Sequence, residues 1–284
     1  MNQESLNGVI VIKKETGMTS HDVVEKVSRI LGIKKVGHTG TLDPMAEGVL
    51  VVCLGQATKI AELLTAYDKE YIADIKLGIT TDTYDQEGKV LEEKEVPEGL
   101  PIEEVLSSFQ KTYLQEVPIY SAVKVNGKKL YEYAREKKEV ELPKKEVTIY
   151  KIELLEKTKD TLRIQVKVSK GCYIRSLIHE IGEALGVGAI MTSLTRTKQG
   201  NISIEDAYTL EEIEQGNCKI KSIEDSISFP IVEVEEDLAF KIHNGQKIKN
   251  QWNIEDKVLF KTKEKILGIY EKGNDFLKVW KNFQ

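Results

Sequence analysis

The sequence predicts an α+β protein with a small β domain at its carboxyl end. Through the first 228 residues, segments with the pattern of strands are interspersed with segments whose apolar residues recur at helical spacing. After about residue 229 the pattern changes to short strand-like pieces separated by Gly, Asn and Lys. We therefore expect a larger domain over residues 1–228 and a small β domain over residues 229–284.

The individual elements follow from periodicity and from end signals. Apolar or alternating runs predict strands in the larger domain at residues 8–13, 49–54, 69–77, 147–155 and 162–168, and in the tail at 229–234, 257–261, 266–270 and 276–280. Helical spacing predicts helices at residues 20–31, 56–67, 101–113 and 173–185. We expect Ser20 to cap the first helix and Gly32 to end it, and Pro101 to begin the third.

Charge is unevenly distributed along the chain. The net charge is −5, but residues 201–240 hold eleven acidic residues against two lysines, so the remainder is net basic. Residues 124–145 hold eight Lys or Arg against four Glu, interleaved with two tyrosines, inside a long segment between a predicted helix and a predicted strand. Such a segment suits a phosphate backbone, although a solvated surface can have the same composition.

Other features argue against several classes of protein. The longest apolar run, Val49 to Leu54, is too short to span a bilayer, and residues 1–8 lack the pattern of a secretion signal. The three cysteines form no CxxC pair, the four histidines are dispersed, and no GxGxxG or GxxxxGK[ST] motif occurs. We expect a cytoplasmic protein with no membrane partner, no metal and no cofactor.

The stretch KKVGHTGTLDPMAEGVLVVCLG, Lys34 to Gly55, is the most informative part of the chain. Gly37 and Gly40 allow a sharp turn that can approach a ligand closely, and Pro44 restricts Asp43 to extended geometry. A stiff carboxylate at a strand edge can act as a nucleophile or a general base. Taken alone, these residues favour an aspartate that only accepts hydrogen bonds from turn amides.

The whole run GHTGTLDPMAEGVL, followed by GQATK, closely resembles the signature of the TruB family of tRNA pseudouridine synthases. Further blocks resemble that family in collinear order, namely EYIADIKLGITTDTYDQEG, VPIYSAVKVNGKKLYEYAR, GCYIRSLIHEIGEALG and LTRTKQG. The resemblance covers residues 8–200. The chain departs from the family pattern at Glu47, Val117, Lys137 and Glu180, where the family commonly has threonine, proline, glycine and aspartate.

The resemblance implies a fold and an activity. The fold is the pseudouridine synthase fold, a mixed, mainly antiparallel central sheet flanked by helices, with a PUA-like RNA-binding domain at residues 229–284. The activity is that of a tRNA pseudouridine(55) synthase, an isomerase that flips a uridine out of the T-loop, breaks its N1–C1′ bond and rejoins the base through C5. By the resemblance Asp43 is the catalytic carboxylate, which either attacks C1′ or removes the C2′ proton.

The resemblance also assigns further residues. Tyr71 would stack on the base and help to remove the C5 proton, Arg175 would pair with Asp43, and His38 would insert into the T-loop. An arginine in the first turn of a helix opposes the helix dipole, which independently favours a nearby anion. The remaining substrate-binding residues that we predict are Gly37, Thr39, Gly40, Thr41, Tyr173, Leu194, Lys124 and Lys128. Outside the resemblance, Tyr71 would be interpreted as a core residue and Arg175 as a surface residue.

The basic insertion at residues 121–146, hereafter the thumb, resembles the segment with which bacterial family members close on the T-arm of tRNA. We therefore expect tRNA as the partner, no guide RNA, and a monomer. Two other classes stay open on the residues. A glycoside hydrolase needs a second carboxylate across the scissile bond, and a non-catalytic RNA-folding chaperone needs neither Asp43 nor Arg175.

Overall fold

The structure is a computed structural model that describes residues 6–283. Residues 1–5 and 284, at the outer ends of the two predicted domains, lie outside the described part. Residues 1–5 are also most of the segment 1–8 that lacks the pattern of a secretion signal. The described strands are β1 Gly8–Lys14, β2 Val36–His38, β3 Glu47–Leu54, β4 Lys69–Leu77, β5 Ile79–Thr81, β6 Val90–Glu93, β7 Thr112–Glu116, β8 Lys124–Val125, β9 Lys128–Lys129, β10 Lys144–Lys157, β11 Thr161–Val168, β12 Ala189–Gln199, β13 Ile202–Ser203, β14 Ile231–Glu233, β15 Ile248–Lys249, β16 Lys257–Lys261, β17 Ile266–Lys272 and β18 Phe276–Asn282. The described α-helices are α1 Ser20–Leu31, α2 Ala61–Thr65, α3 Ile102–Ser108, α4 Leu130–Arg135, α5 Ile174–Ala184, α6 Leu210–Glu214 and α7 Glu236–His243. None of these helices is long and apolar enough to cross a membrane.

A mixed sheet forms the centre of the larger domain, in the order β1-β3-β12-β4-β11-β10-β7. Among these described strands only the β12–β3 pair is parallel, so the predicted mainly antiparallel sheet is confirmed. On β4 the predicted alternation is also confirmed, because Tyr71, Ala73, Ile75 and Leu77 are all buried in one core with the apolar face of α5.

Several element ends differ from the expectation. The N-cap of α1 is Thr19 rather than Ser20, because Thr19 and Asp22 form a reciprocal capping box. Gly32 ends the helix in the left-handed conformation, as expected. The helix predicted at 56–67 is a 3₁₀ turn over Gly55–Ile60 followed by the short α2.

The third predicted helix is shorter than expected. It ends at Ser108, and residues 112–116 form the edge strand β7 instead of continuing the helix. Exposure alternates from Thr112 to Glu116, with Tyr113 and Gln115 facing inward, and pairing with β10 satisfies the backbone of this segment. Periodicity also gave no indication of β12, which lies at the centre of the sheet, or of α7 and β15 in the tail.

The tail forms its own five-stranded sheet, in the order β14-β16-β17-β18-β15, with α7 packed on it. One face of this sheet encloses a core that includes Val258, Phe260 and Tyr270. The other face contributes Leu259 and Ile269, with Phe283, to an apolar cluster shared with β1 and β3 of the larger domain. The tail is therefore a distinct sheet that is also packed against the main sheet.

The thumb begins beside α5 and contains the β8–β9 hairpin and α4. Helix α4 ends with Lys137 in the left-handed conformation, at φ 52°. The chain then returns through residues 138–143 to β10, and the amide of Val117, just after β7, donates to the Pro143 carbonyl at 3.0 Å. The thumb is thus anchored at both ends on β7 and β10.

Candidate active site

The loop between β2 and β3 presents Asp43 at the surface of the sheet. The amide of Ala46 donates to the Asp43 carbonyl at 3.0 Å, which closes a tight turn. The Ser20 hydroxyl accepts from the Leu42 amide at 2.9 Å, and so ties the loop to α1. The Asp43 side chain remains 39% exposed. A fixed main chain therefore carries a carboxylate that solvent and a ligand can reach.

Arg175, in the first turn of α5, holds this carboxylate with two prongs. Its Nε lies 2.8 Å from Oδ2 of Asp43, and its Nη2 donates to Oδ1 at 3.3 Å. The guanidinium itself is buried. Such a forked contact fixes the plane of the carboxylate as well as its position. The structure thus brings together the two residues that the sequence pairs only by resemblance.

Arg175 has three further partners, none of which the sequence singles out. Nη1 donates to the Thr83 carbonyl at 3.0 Å and to Oδ2 of Asp85 at 3.4 Å, and Nη2 donates to the Tyr120 carbonyl at 3.1 Å. Asp85 is buried, and its Oδ1 accepts from the Glu87 amide at 3.0 Å. Asp85 lies within the block that carries the resemblance, but no spacing in that block distinguishes it from its neighbours.

Lys14, at the end of β1, supports the Asp43 loop from below. Its buried ammonium donates to the carbonyls of Ala46 at 2.6 Å, Asp43 at 3.2 Å and Pro44 at 3.3 Å. Burial lowers the pKa of Lys14 from 10.5 to about 8, against the opposing effect of the Asp43 charge. In the sequence Lys14 follows another lysine at a strand end, which is typical of surface residues, so no sequence signal marks it.

Arg196 on β12 is a second buried cation that the sequence analysis did not single out. Its Nε donates to the Val49 carbonyl at 2.6 Å, Nη2 to Gly40 at 3.3 Å and Nη1 to Thr41 at 3.4 Å. Tyr71 lies beside it on β4. Burial raises the pKa of the Tyr71 hydroxyl, and the adjacent Arg196 charge partly opposes this rise.

The other predicted residues of the loop differ in exposure. His38 is partly exposed, its Nδ1 accepts from the Gly40 amide at 3.3 Å, and burial lowers its pKa. Gly37 is partly exposed, Thr41 is exposed, and Gly40 adopts φ +143°. Thr39, by contrast, has no exposed surface, and its hydroxyl accepts from Nε2 of Gln199 at 2.6 Å. The Thr39 side chain therefore anchors the loop and presents no surface to a ligand here.

Tyr173 and Leu194 lie at the wall of the same region. The Tyr173 amide donates to Oε1 of Gln115 at 2.8 Å, and Nε2 of Gln115 donates to the Tyr173 carbonyl at 3.2 Å. The Lys145 ammonium lies 5.8 Å from the centre of the Tyr173 ring. Leu194 is buried in the same core cluster as Tyr71.

Lys124 and Lys128 are not part of this group. Both lie on the thumb hairpin, where Lys124 is exposed. The Lys128 ammonium pairs with Glu136 at 2.5 Å and lies 4.9 Å from the centre of the Tyr133 ring. The Arg175 guanidinium instead donates to the carbonyl of Tyr120, the residue just before the thumb.

Comparison with known families decides the interpretation of this geometry. A model described as TruB family pseudouridylate synthase, N-terminal domain, matches residues 28–174, and one described as tRNA pseudouridylate synthase B C-terminal domain matches residues 175–236. The chain belongs to the TruB family. Two relatives named tRNA pseudouridine synthase B support this membership. One, from Caldanaerobacter subterraneus subsp. tengcongensis, is 48% identical over 90% of both chains, and the other, from Clostridium tetani, is 42% identical over 97% of this chain and 99% of its own.

Solved structures extend the similarity of this TruB family member to the whole fold. An H/ACA ribonucleoprotein bound to a substrate RNA containing 2′-deoxyuridine contains a chain that aligns with a TM-score of 0.73 and 26% identity, covering 99% of this chain and 86% of that one. A Cbf5-Nop10-Gar1 complex aligns with a TM-score of 0.73 and 28% identity, over 98% and 85% of the two chains. The predicted pseudouridine synthase fold is thereby confirmed.

Proposed function

We propose that this TruB family protein converts a uridine in the T-loop of tRNA to pseudouridine in the cytoplasm, as a monomer and without a guide RNA. The relatives named tRNA pseudouridine synthase B cover nearly all of this chain and are the basis for tRNA as its substrate. The single observation that carries the chemistry is the forked contact of Arg175 with Asp43, in which Nε lies 2.8 Å from Oδ2. This contact orients a partly exposed carboxylate.

The reaction requires a carboxylate at the sugar of the flipped nucleotide. The electron pair of the N1–C1′ bond leaves with the base, the base rotates, C5 then bonds to C1′, and the C5 proton departs. Asp43 takes part either by bonding to C1′ or by accepting the C2′ proton, and both routes need an oriented, reachable oxygen. Arg175 is buried and contacts both oxygens, so it keeps the carboxylate in one orientation as its charge changes.

The remaining site residues bind and position the RNA in this proposal. Tyr71, on β4, forms the wall of the base pocket beside Asp43. His38, at the end of β2 just before the Asp43 loop, extends toward the space that the flipped base vacates. Lys124 and Lys128 meet the phosphates of the T-arm from the thumb hairpin. Base flipping costs a few kcal/mol, which such backbone contacts offset.

The geometry also weighs against the glycoside hydrolase alternative. That chemistry needs a second carboxylate free to protonate the leaving group. Asp85 is the carboxylate that shares Arg175 with Asp43, but it is buried and its oxygens accept from Arg175, Thr83 and the Glu87 amide. An acceptor that is saturated in this way is poorly placed to donate a proton.

The experiment is replacement of Asp43 by asparagine, which keeps the shape and most turn hydrogen bonds but can neither attack C1′ nor accept a proton at a useful rate. The purified protein is incubated with a synthetic T-arm minihelix labelled with tritium at uridine C5 and no other RNA. We expect the wild type to release tritium and Asp43→Asn to release none, with minihelix Kd within about tenfold, or about 1.4 kcal/mol.

Asp256→Asn is the matched control, since Asp256 lies on the surface of the tail with a side chain 78% exposed. It should release tritium at the wild-type rate. Release by Asp43→Asn at more than a small fraction of that rate would remove Asp43 from the mechanism. If the wild type binds the minihelix tightly but releases no tritium, the result favours the non-catalytic RNA-folding chaperone.

A further inference from the structure

Arg196 is a fully buried arginine at the point where three segments of the site meet. Strand β12 places its Cα opposite Gly48 of β3 on one side and opposite Tyr71 of β4 on the other. The β12–β4 ladder is irregular between Arg196 and Lys198, and such bulges redirect side chains next to functional sites. Gly48 adopts φ +101°, and a Cβ there would lie 2.3 Å from the Arg196 carbonyl, so only glycine lets β3 approach this closely.

The guanidinium spans the whole Asp43 loop. Two of its nitrogens donate to the carbonyls of Gly40 and Thr41, just before Asp43, and Nε donates to Val49, in the strand that follows. One planar side chain therefore fixes both ends of the segment that carries the catalytic carboxylate. Lys14 holds the middle of the same segment through the carbonyls of residues 43, 44 and 46.

Packing alone does not account for a charge at this position. Arg196 is 1% exposed, and within residues 6–283 it donates to main-chain carbonyls and forms no ion pair. A buried charge without a counter-charge is costly, and an apolar side chain of similar volume is usually at least as stabilising. The arrangement becomes useful if the five fixed N–H donors of arginine serve several acceptors at once.

Tyr71 is placed to be that further acceptor. It is buried and lies directly opposite Arg196 in the β12–β4 ladder, and the Arg196 charge opposes the rise that burial causes in the pKa of its hydroxyl. The cation is thus shared between the loop that bears Asp43 and the tyrosine that faces the base pocket.

We propose that Arg196 is a positioning residue that sets the distance between the Asp43 carboxylate and the Tyr71 hydroxyl. Asp43 acts at the sugar and Tyr71 faces C5 of the rotated base. Bond breaking at C1′ and proton loss at C5 therefore require a fixed distance between the Asp43 carboxylate and the Tyr71 hydroxyl. This inference rests on the proposed function. A displacement of about 1 Å at a reacting group can slow chemistry about 100-fold without affecting binding.

The test uses Arg196→Lys, which keeps the charge but loses the fork, and Arg196→Met, which keeps much of the volume without the charge. Single-turnover rates are measured on T-arm minihelices with protium or deuterium at uridine C5. We expect both variants to bind the minihelix within about threefold of wild type and to turn over about 100-fold more slowly. The C5 deuterium isotope effect should be larger in Arg196→Lys than in the wild type, because loss of the C5 proton becomes slower.

A double-mutant cycle with Tyr71→Phe adds a readout that a merely structural role would not move. If Arg196 acts through the Tyr71 hydroxyl, the double variant Tyr71→Phe/Arg196→Lys should be slower than Tyr71→Phe alone by much less than the factor that Arg196→Lys costs in the wild type. Arg163→Lys, at a half-exposed site on β11, is the control and should leave rate and isotope effect unchanged.

Three results would overturn the inference. The first is a double variant whose loss of rate equals the product of the losses caused by Tyr71→Phe and Arg196→Lys separately. The second is a slower rate in Arg196→Lys with an unchanged C5 isotope effect. The third is failure of both Arg196 variants to fold or to bind the minihelix, which would make the residue structural. The proposed function fails separately, through tritium release by Asp43→Asn. If Asp43→Asn is inactive while Arg196→Lys keeps the wild-type rate, only the inference about Arg196 is wrong.

Discussion

Three cations surround the segment that carries Asp43, and each has a different task. Arg175 contacts the carboxylate itself. Lys14 contacts the main-chain carbonyls in the middle of the segment, and Arg196 contacts those at its two ends. The resemblance led to Arg175, but Lys14 and Arg196 could not be predicted from residue types. Charged residues are rarely buried unless paired, so a sequence argument places them on the surface. Their partners are main-chain carbonyls, which leave no side-chain pattern in the sequence.

The first residue-scale prediction concerns Arg175→Lys. Lysine keeps a positive charge but has a single ammonium in place of the fork, so it cannot hold both oxygens of Asp43 while also serving Asp85. We expect single-turnover tritium release to fall about 100-fold, with minihelix Kd within about threefold of wild type. The same replacement at the exposed Arg29 should change neither quantity. A wild-type rate in Arg175→Lys would mean that the ion pair does not orient the carboxylate.

The second concerns pH and Lys14→Met. Lys14 has a pKa of about 8 in the folded chain against 10.5 as its ordinary value, so between these pH values the unfolded chain binds more protons. The free energy of unfolding contributed by Lys14 should therefore rise with pH across that window. We expect the stability of the wild type relative to Lys14→Met, from urea denaturation, to increase by up to about 3 kcal/mol between pH 7 and 10.

Lys13→Met provides the control, because Lys13 is the adjacent residue on β1 and its side chain is exposed. The stability difference between wild type and Lys13→Met should show no comparable trend over the same pH range. A flat difference for Lys14→Met would mean that the ammonium is solvated and does not hold the Asp43 loop from a buried position.

At the scale of elements, periodicity located the strands that alternate cleanly and missed those that do not. Strand β4 alternates along its whole length and was predicted residue for residue. Strand β12 does not alternate cleanly, because its first three residues are all buried, it carries Arg196 and Gln199 inside, and it has two irregularities in its ladder with β4. The sequence predicts an α-helix at the 3₁₀ turn Gly55–Ile60, because six residues are too few to distinguish a period of about 3.0 residues from one of about 3.6.

Helix α4 in the thumb gives an element-scale prediction. The amide of Lys137 donates to Ala134 and that of Lys138 to Tyr133, so α4 ends in a Schellman motif whose left-handed position is occupied by Lys137. A lysine there costs about 1–2 kcal/mol relative to glycine, which the family commonly has at this place. We expect Lys137→Gly to slow amide hydrogen exchange in α4, corresponding to about 1 kcal/mol of added stability.

Lys138→Gly is the matched comparison. It removes the same charge one residue later, where the backbone is not left-handed, so it should speed exchange in α4 or leave it unchanged. Faster exchange in both variants would mean that Lys137 does not adopt the left-handed conformation in solution.

At the scale of the whole molecule, the tail is less independent than its composition indicates. The change near residue 229 to short strand-like pieces correctly predicted a separate β sheet. Composition, however, carries no information about what that sheet packs against. In the structure Leu259, Ile269 and Phe283 lie in one cluster with the residues of β1 and β3. The Lys59 ammonium also donates to the Asn282 carbonyl at 2.6 Å. The tail therefore contacts the segment that directly follows β3, the strand after the Asp43 loop.

Strand β16 offers two neighbouring residues that separate the role of the tail's own core from that of this shared cluster. Leu259 and Phe260 are both fully buried, but Leu259 faces the cluster shared with β1 and Phe260 faces the core inside the tail. Each truncation to alanine should cost about 2–5 kcal/mol locally. We expect Leu259→Ala to speed amide exchange in β1 as well as in the tail, by more than about tenfold, or about 1.4 kcal/mol. Phe260→Ala should speed exchange in the tail while β1 keeps its protection, because Phe260 packs in the core inside the tail. If both variants leave β1 unchanged, the tail adds no stability to the main sheet, and a chain ending near residue 228 should keep the wild-type melting temperature.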